Sequence, residues 1–278
     1  LDLSYRAQLL GWQFVFLQDL VAPAEVPVEM NAFKSQQYRW AKGSIQTCLK
    51  VLPRILRSDL PLSVKTGAFF HLTANFNYLL MCVLSVLMAP SMVIRYNMGW
   101  YEMLLIDIPL FFAATASVAN FYMVCQRELH RDWMTRLKYL PLLMSIGIGL
   151  TVNNTRAVLE ALFNRQSEFV RTPKYNASTD PGAEAVPSNR ASNPHAQARC
   201  LMGKHRLDVI PTPSIKVWMS VLEIGMGLYT LRCAHLVLRS PSTVIGLPFL
   251  LLFSFGYLYV GLGGLASLWS VRRRRSLA

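Results

Sequence analysis

Charge is scarce in this chain. Only 15% of its 278 residues are Asp, Glu, Lys or Arg, against roughly 25% in soluble domains. Acidic residues are scarcer still, 15 against 28 Lys and Arg, which leaves a net charge of +13. With 53% hydrophobic residues and a mean hydropathy of +0.31, this composition excludes an ordinary soluble domain and indicates a membrane protein. Cysteine is sparse and unpaired: Cys48, Cys82, Cys125, Cys200 and Cys233 form no CxxC. That argues against a zinc site or a disulfide framework, and the five read as small buried or membrane residues. A signal peptide is missing, and the opening Leu1-Asp2-Leu3-Ser4-Tyr5-Arg6 is already patterned, so the chain is expected to be a fragment of a longer protein.

The basic residues flank apolar runs instead of forming one stripe, which points to membrane lipid and cytoplasmic loops and away from nucleic acid. Residues 1–30 read as the edge of a soluble α/β domain. Leu3, Ala7 and Leu10, together with Leu9, mark one helical face, Gly11 ends that helix, and Trp12 to Leu17 is a short strand-like run. Residues 31–57 predict an amphipathic interfacial helix, with Ile45, Cys48, Leu49, Leu52 and Leu56 on its apolar side. Lys42, Lys50, Arg54 and Arg57 make a basic side, and Pro53 marks a kink or break.

Four apolar stretches are long enough to span a bilayer at ~20 residues: about 71–94, 103–125, 217–238 and 244–270. Arg127, Arg131, Arg136 and Lys138 follow the second, and Arg272 to Arg275 follow the fourth, so both regions are expected to be cytoplasmic. The stretch 140–163 has basic loops on both sides and is expected to be interfacial or re-entrant. Asn75, Asn77, Asp107, Asn120 and Glu223 place polar groups in or near spans, where they bond between helices or line a path; Tyr78, Phe121, Tyr122 and Tyr229 are candidate ring surfaces for such a path.

The most informative motif is Gln36-Gln37-Tyr38-Arg39-Trp40. Positions 36, 39 and 40 share one helical face. An Arg fork suits a diphosphate, and Trp offers the largest flat apolar surface for a sugar ring. An interfacial Trp beside a snorkelling Arg has the same residues. The motif resembles the QxxRW signature of processive family-2 glycosyltransferases, among them cellulose, hyaluronan, chitin and plant glucomannan synthases. There it lies on an interfacial helix just before membrane spans. The resemblance implies that Trp40 stacks on the acceptor sugar and that Gln36 and Arg39 contact the acceptor end and the donor diphosphate.

Phe169-Val170-Arg171-Thr172-Pro173-Lys174 resembles the FxVTxK gating loop of cellulose synthases, with Arg171 where the family has Val. The resemblance implies that Phe169, Thr172 and Lys174 close over the nucleotide sugar. Gly11-Trp12 matches a pair that commonly follows the family's catalytic Asp by eleven and twelve positions. Counting back places that general base just before Leu1, so no catalytic residue is expected in this chain. The family's Asp-x-Asp metal site, with its Mg or Mn, is likewise expected outside it. A mannan-synthase-like pattern is the nearest, on the run Leu150 to Leu162.

The expected fold is therefore mainly α and polytopic, with the C-terminal edge of a GT-A α/β domain at the N-terminus. Its parts are that remnant (1–30), the QxxRW interfacial helix (31–60), two membrane helices (61–126), a cytoplasmic loop with an interfacial or re-entrant helix (127–163), a gating and mobile loop (164–215), two further membrane helices (216–271) and a basic cytoplasmic tail (272–278). The expected function is inverting transfer of a sugar from a nucleotide-sugar donor to a growing β-linked polysaccharide, with translocation through the membrane helices. Transfer to a glycolipid acceptor is the first alternative, and a non-enzymatic transporter subunit is the second. The fragment alone is expected to be inactive. The plasma (inner) membrane is the expected location, with the N-terminal segment, gating loop and tail cytoplasmic.

Overall fold

A computed structural model describes residues 1–17, 20, 24, 26–98, 101–165, 213–238 and 246–276. Among the described residues there are ten α-helices and no strand. The mainly helical expectation holds. Among the described residues two stretches are long and apolar enough to cross a membrane, Leu62–Ser91 and Leu247–Trp269. A third arises if the bent pair Trp133–Gly149 and Thr151–Leu162, at 45° to each other, is one broken span.

Helix α1 (Asp2–Leu9) stops where expected, at Gly11 with φ +89°, a left-handed conformation that glycine adopts at little cost. Its packed side matches the expected one only at Leu9. Leu3 and Leu10 are exposed, while Tyr5 and Leu9, four apart, rest on the next two helices. Trp12 to Leu17 forms no strand. Val15 and Phe16 are exposed, and no described neighbour supplies the pairing that a strand needs for its backbone groups.

Helix α2 (Met30–Arg57) is the expected amphipathic helix and continues through Pro53 without a break. Ala41, Ile45, Cys48, Val51 and Ile55 form its buried stripe; Leu49 and Leu56 face outward. The stripe packs on α3 (Leu62–Thr73) through Ala68 and Leu72, and on α8 (Thr151–Leu162) through Val158 and Ala161. The apolar side of α2 therefore closes against protein.

A 3-10 turn, Ala74–Phe76, joins α3 to α4 (Asn77–Met98). Pro90 sits inside α4 and has no N–H for the carbonyl of Val86. Tyr229, from α9 (Pro213–Val237), donates its hydroxyl to that carbonyl at 2.6 Å and accepts the Ala89 N–H at 3.2 Å. A proline among apolar helices is tolerated when a neighbour satisfies the freed group in this way. The Tyr229 hydroxyl thus holds α9 to α4, the helix–helix bonding role that polar groups near spans can take.

Helix α5 (Tyr101–Leu129) is followed by α6 (Trp133–Arg136), a 3-10 turn, α7 (Leu140–Gly149) and α8. Helix α10 (Leu247–Ser276) is the axis of the bundle. Phe253 and Tyr257 are fully buried there with Cys233, Val237, Ile148 and Met88. The α7–α10 crossing is made by small residues. A Cβ on Gly149 would strike the Gly256 carbonyl, and one on Gly256 would strike the Ser145 carbonyl. Small residues let backbones approach where apolar burial gives helices in lipid little drive to associate. Ser145 lies against Leu252 and Gly256, and Gly149 against Gly256 and Val260, so α7 and α10 run in the same direction. Helix α9 runs opposite to α10, with Ser220, Gly227 and Thr230 meeting Gly264, Leu258 and Ser254 in turn, and Ser85 of α4 bonds Tyr257.

Candidate functional site

Helix α2 turns two faces in different directions, because residues two apart on a helix lie about 200° apart around it. Gln36, Arg39 and Trp40 share the outer face, as their spacing predicts. Trp40 is 61% exposed, and Gln36 and Arg39 are half-buried. An exposed indole beside a guanidinium on a rigid helix offers a flat apolar plane next to a fixed cation, the combination that a sugar and a diphosphate require.

The opposite face carries Lys34, Tyr38 and Lys42, spaced four apart. Lys42 was expected on a basic, headgroup-facing side; it is instead 4% exposed. Its Nζ lies 3.1 Å from Glu160 Oε2, on α8. The Tyr38 hydroxyl donates to the same oxygen. Arg156, one turn before Glu160, donates to Oε1 at 2.7 Å, and its guanidinium lies 5.5 Å from the Tyr38 ring centre. Three donors thus converge on the one Glu160 carboxylate, Tyr38 and Lys42 on Oε2 and Arg156 on Oε1.

Lys34 makes a second anchor. It is 5% exposed, and its Nζ lies 2.6 Å from Glu223 Oε2 on α9 and 3.4 Å from Ser220 Oγ. Glu223 is fully buried, and its Oε1 finds no hydrogen-bond partner among the described residues. Gly264 leaves room for this pair, since a Cβ there would strike Ser220 Oγ and come within 3.3 Å of Lys34 Nζ. Asn31 donates to the Gly264 carbonyl at 2.7 Å, and Asn153 donates to the Lys34 carbonyl at 2.9 Å. Helix α2 is thereby tied to α8, α9 and α10. Thr155 extends the ties to α4 through the Tyr78 carbonyl, at 2.9 Å.

The gating-loop residues Phe169, Thr172 and Lys174 lie outside the described residues, as does most of the 164–215 segment. Among the described residues no three His, Cys, Asp or Glu side chains gather where they could hold a metal ion. Sequence reading missed Tyr38, treated as a spacer inside the motif, and Lys34. The signals available were the spacing of Lys34, Tyr38 and Lys42, and the carboxylates Glu160 and Glu223 in apolar surroundings, which call for cationic partners.

No family model matches the chain, and no solved structure matches it. Curated proteins do. Glucomannan 4-beta-mannosyltransferase 1 of Cyamopsis tetragonoloba is 26% identical over 84% of this chain and 39% of its own length. Probable glucomannan 4-beta-mannosyltransferase 10 of Arabidopsis thaliana is 45% identical over 21% of this chain and 10% of its own length. Glucomannan 4-beta-mannosyltransferase 1 of Oryza sativa subsp. japonica is 41% identical over 27% and 14% respectively. The chain is similar to these glycosyltransferases and spans well under half of their length.

Proposed function

We propose that this chain is the membrane part of a processive family-2 glycosyltransferase that extends a β-linked polysaccharide. The observation that carries the reading is the outward presentation of Gln36, Arg39 and Trp40 on a helix anchored from behind. The similarity to glucomannan mannosyltransferases supports it along most of the chain. On this reading Trp40 stacks against the acceptor sugar, and Arg39 and Gln36 hold the acceptor end and the donor diphosphate. Phe169, Thr172 and Lys174 close over the nucleotide. The acceptor hydroxyl is deprotonated by a carboxylate outside this chain, in a single inverting displacement. The divalent metal belongs with that same outside region, and the chain alone is inactive. The names of the relatives make a mannosyl nucleotide the first donor to try.

The membrane helices are proposed as the exit path, in a plasma membrane with α2 and the Arg tail cytoplasmic. The shared direction of α7 and α10 favours α7–α8 as a broken crossing over the re-entrant turn expected from charge, which puts 133–139 across the membrane from that tail. Labelling of Thr135→Cys from the cytoplasmic side of sealed vesicles would contradict this placement.

The functional reading is tested with full-length protein in vesicles, supplied with mannosyl, glucosyl and N-acetylglucosaminyl nucleotides and a divalent metal. Incorporation of one of them into insoluble, β-linkage-sensitive polymer is expected. A product that partitions into organic solvent would move the acceptor to lipid. No incorporation from any nucleotide sugar by folded protein would overturn the reading.

A further inference from the structure

The back face of α2 has a feature that the motif does not require. Two lysines, eight residues and about 12 Å apart along the helix, reach carboxylates on two different helices. Lys34 goes to Glu223 on α9, and Lys42, with Tyr38, goes to Glu160 on α8. Around the helix axis the two anchors diverge by about 80°, so they pull in different directions.

The apolar stripe of α2 is non-directional: Ile45 against Val158 and Ala161 would tolerate a small turn of the helix. Charge-assisted hydrogen bonds have fixed lengths and angles and do not. One such anchor leaves a helix free to swing about it. Two, at different heights and angles, fix its rotation. Tyr38 lies between Gln37 and Arg39 inside the motif, so the anchor at Glu160 acts within one residue of the outer face. Glu160 is itself braced from its own helix by Arg156 at 2.7 Å.

We propose that Glu160 and Glu223 are positioning residues that together set the rotation of α2 and so hold Gln36, Arg39 and Trp40 outward. What that face binds rests on the functional reading above, whereas the rotational clamp itself does not.

The test uses full-length protein in membranes, with one cysteine introduced at a time. Trp40→Cys sits at a position that is 61% exposed, and Ala41→Cys at the neighbouring position that is 1% exposed. Labelling by a water-soluble maleimide is read against the parent chain, whose own cysteines set the background. With the clamp intact, position 40 labels fast and position 41 slowly. In the Glu160→Ala, Glu223→Ala background, the ratio of labelling at 41 to that at 40 is expected to rise about tenfold, because a buried position labels only when the surrounding structure opens.

Ala234→Cys, at a 2% exposed position among α4, α9 and α10, reports general loosening and should stay unlabelled. Should the double variant fail to insert, Tyr38→Phe removes one anchor bond alone and should shift the ratio in the same direction. An unchanged ratio in inserted protein, or equal gains at 41 and 234, would overturn the proposal. Labelling needs no substrate, so a failed sugar assay leaves this result intact.

Discussion

On α2 the outer and inner faces carry similar kinds of residue under opposite conditions. The outer face has Arg39 half-buried beside an exposed Trp40, while the inner face has Lys34 and Lys42 almost wholly buried. Taking a lysine out of water is costly unless a carboxylate meets it, and each inner lysine has one within 3.1 Å. The inner lysines are thus buried against carboxylates, while Arg39 keeps part of its surface toward solvent beside the exposed Trp40. Charge in an apolar chain acquires its role from which face of a helix carries it, and a count of basic residues does not reveal that.

The largest effect is expected where the inner face is broken. Lys34→Ala strands Glu223, a fully buried carboxylate, and a buried pair that loses one partner costs about 3–5 kcal/mol. Thermal unfolding of the detergent-purified protein should show a large loss. A stability close to that of the parent would mean that water reaches Glu223 and that the two faces differ less than described. A smaller effect is expected at the other anchor. Glu160 is a half-buried carboxylate that accepts from Tyr38, Lys42 and Arg156, so its charge is only partly withdrawn from water. Glu160→Gln, which keeps the shape and removes the charge, should therefore cost about 1–3 kcal/mol of stability. A stability equal to the parent's would assign the anchor to shape and not to charge. The smallest effect belongs to the exposed pair of Asp2 with Lys50, 3.2 Å apart. Asp2→Asn should leave stability unchanged within error, since solvent screens such pairs.

Much of this was legible in the sequence. Apolar run lengths marked the two helices that are long and apolar enough to cross a membrane, near 71–94 and 244–270, Gly11 marked the end of α1, and the spacing of Gln36, Arg39 and Trp40 gave a shared face that the structure displays. What was not legible depended on partners distant in the chain. Lys42 reads as basic surface until Glu160, 118 residues later, is brought beside it. Tyr229 reads as a ring for sugar until Pro90, on another helix, leaves a carbonyl without a donor. Trp12 to Leu17 reads as a strand from β-prone residues, yet a strand exists only when another pairs with it. Gly149 and Gly256 gave no local signal, because their meaning is a backbone contact between two helices.

The central claim is that the outer face of α2 is a sugar platform. The most direct measurement is polymer synthesis by full-length protein carrying Trp40→Ala, with membrane insertion and yield monitored in the same preparation. Trp40 is exposed, so its removal leaves the fold intact. On the proposed reading the acceptor would lose its stacking surface, and a misplaced acceptor costs a reaction on the order of 100-fold in rate. The account predicts normal insertion with synthesis reduced by about that factor. Normal insertion with near-parental synthesis would contradict it and leave Trp40 as an interfacial anchor.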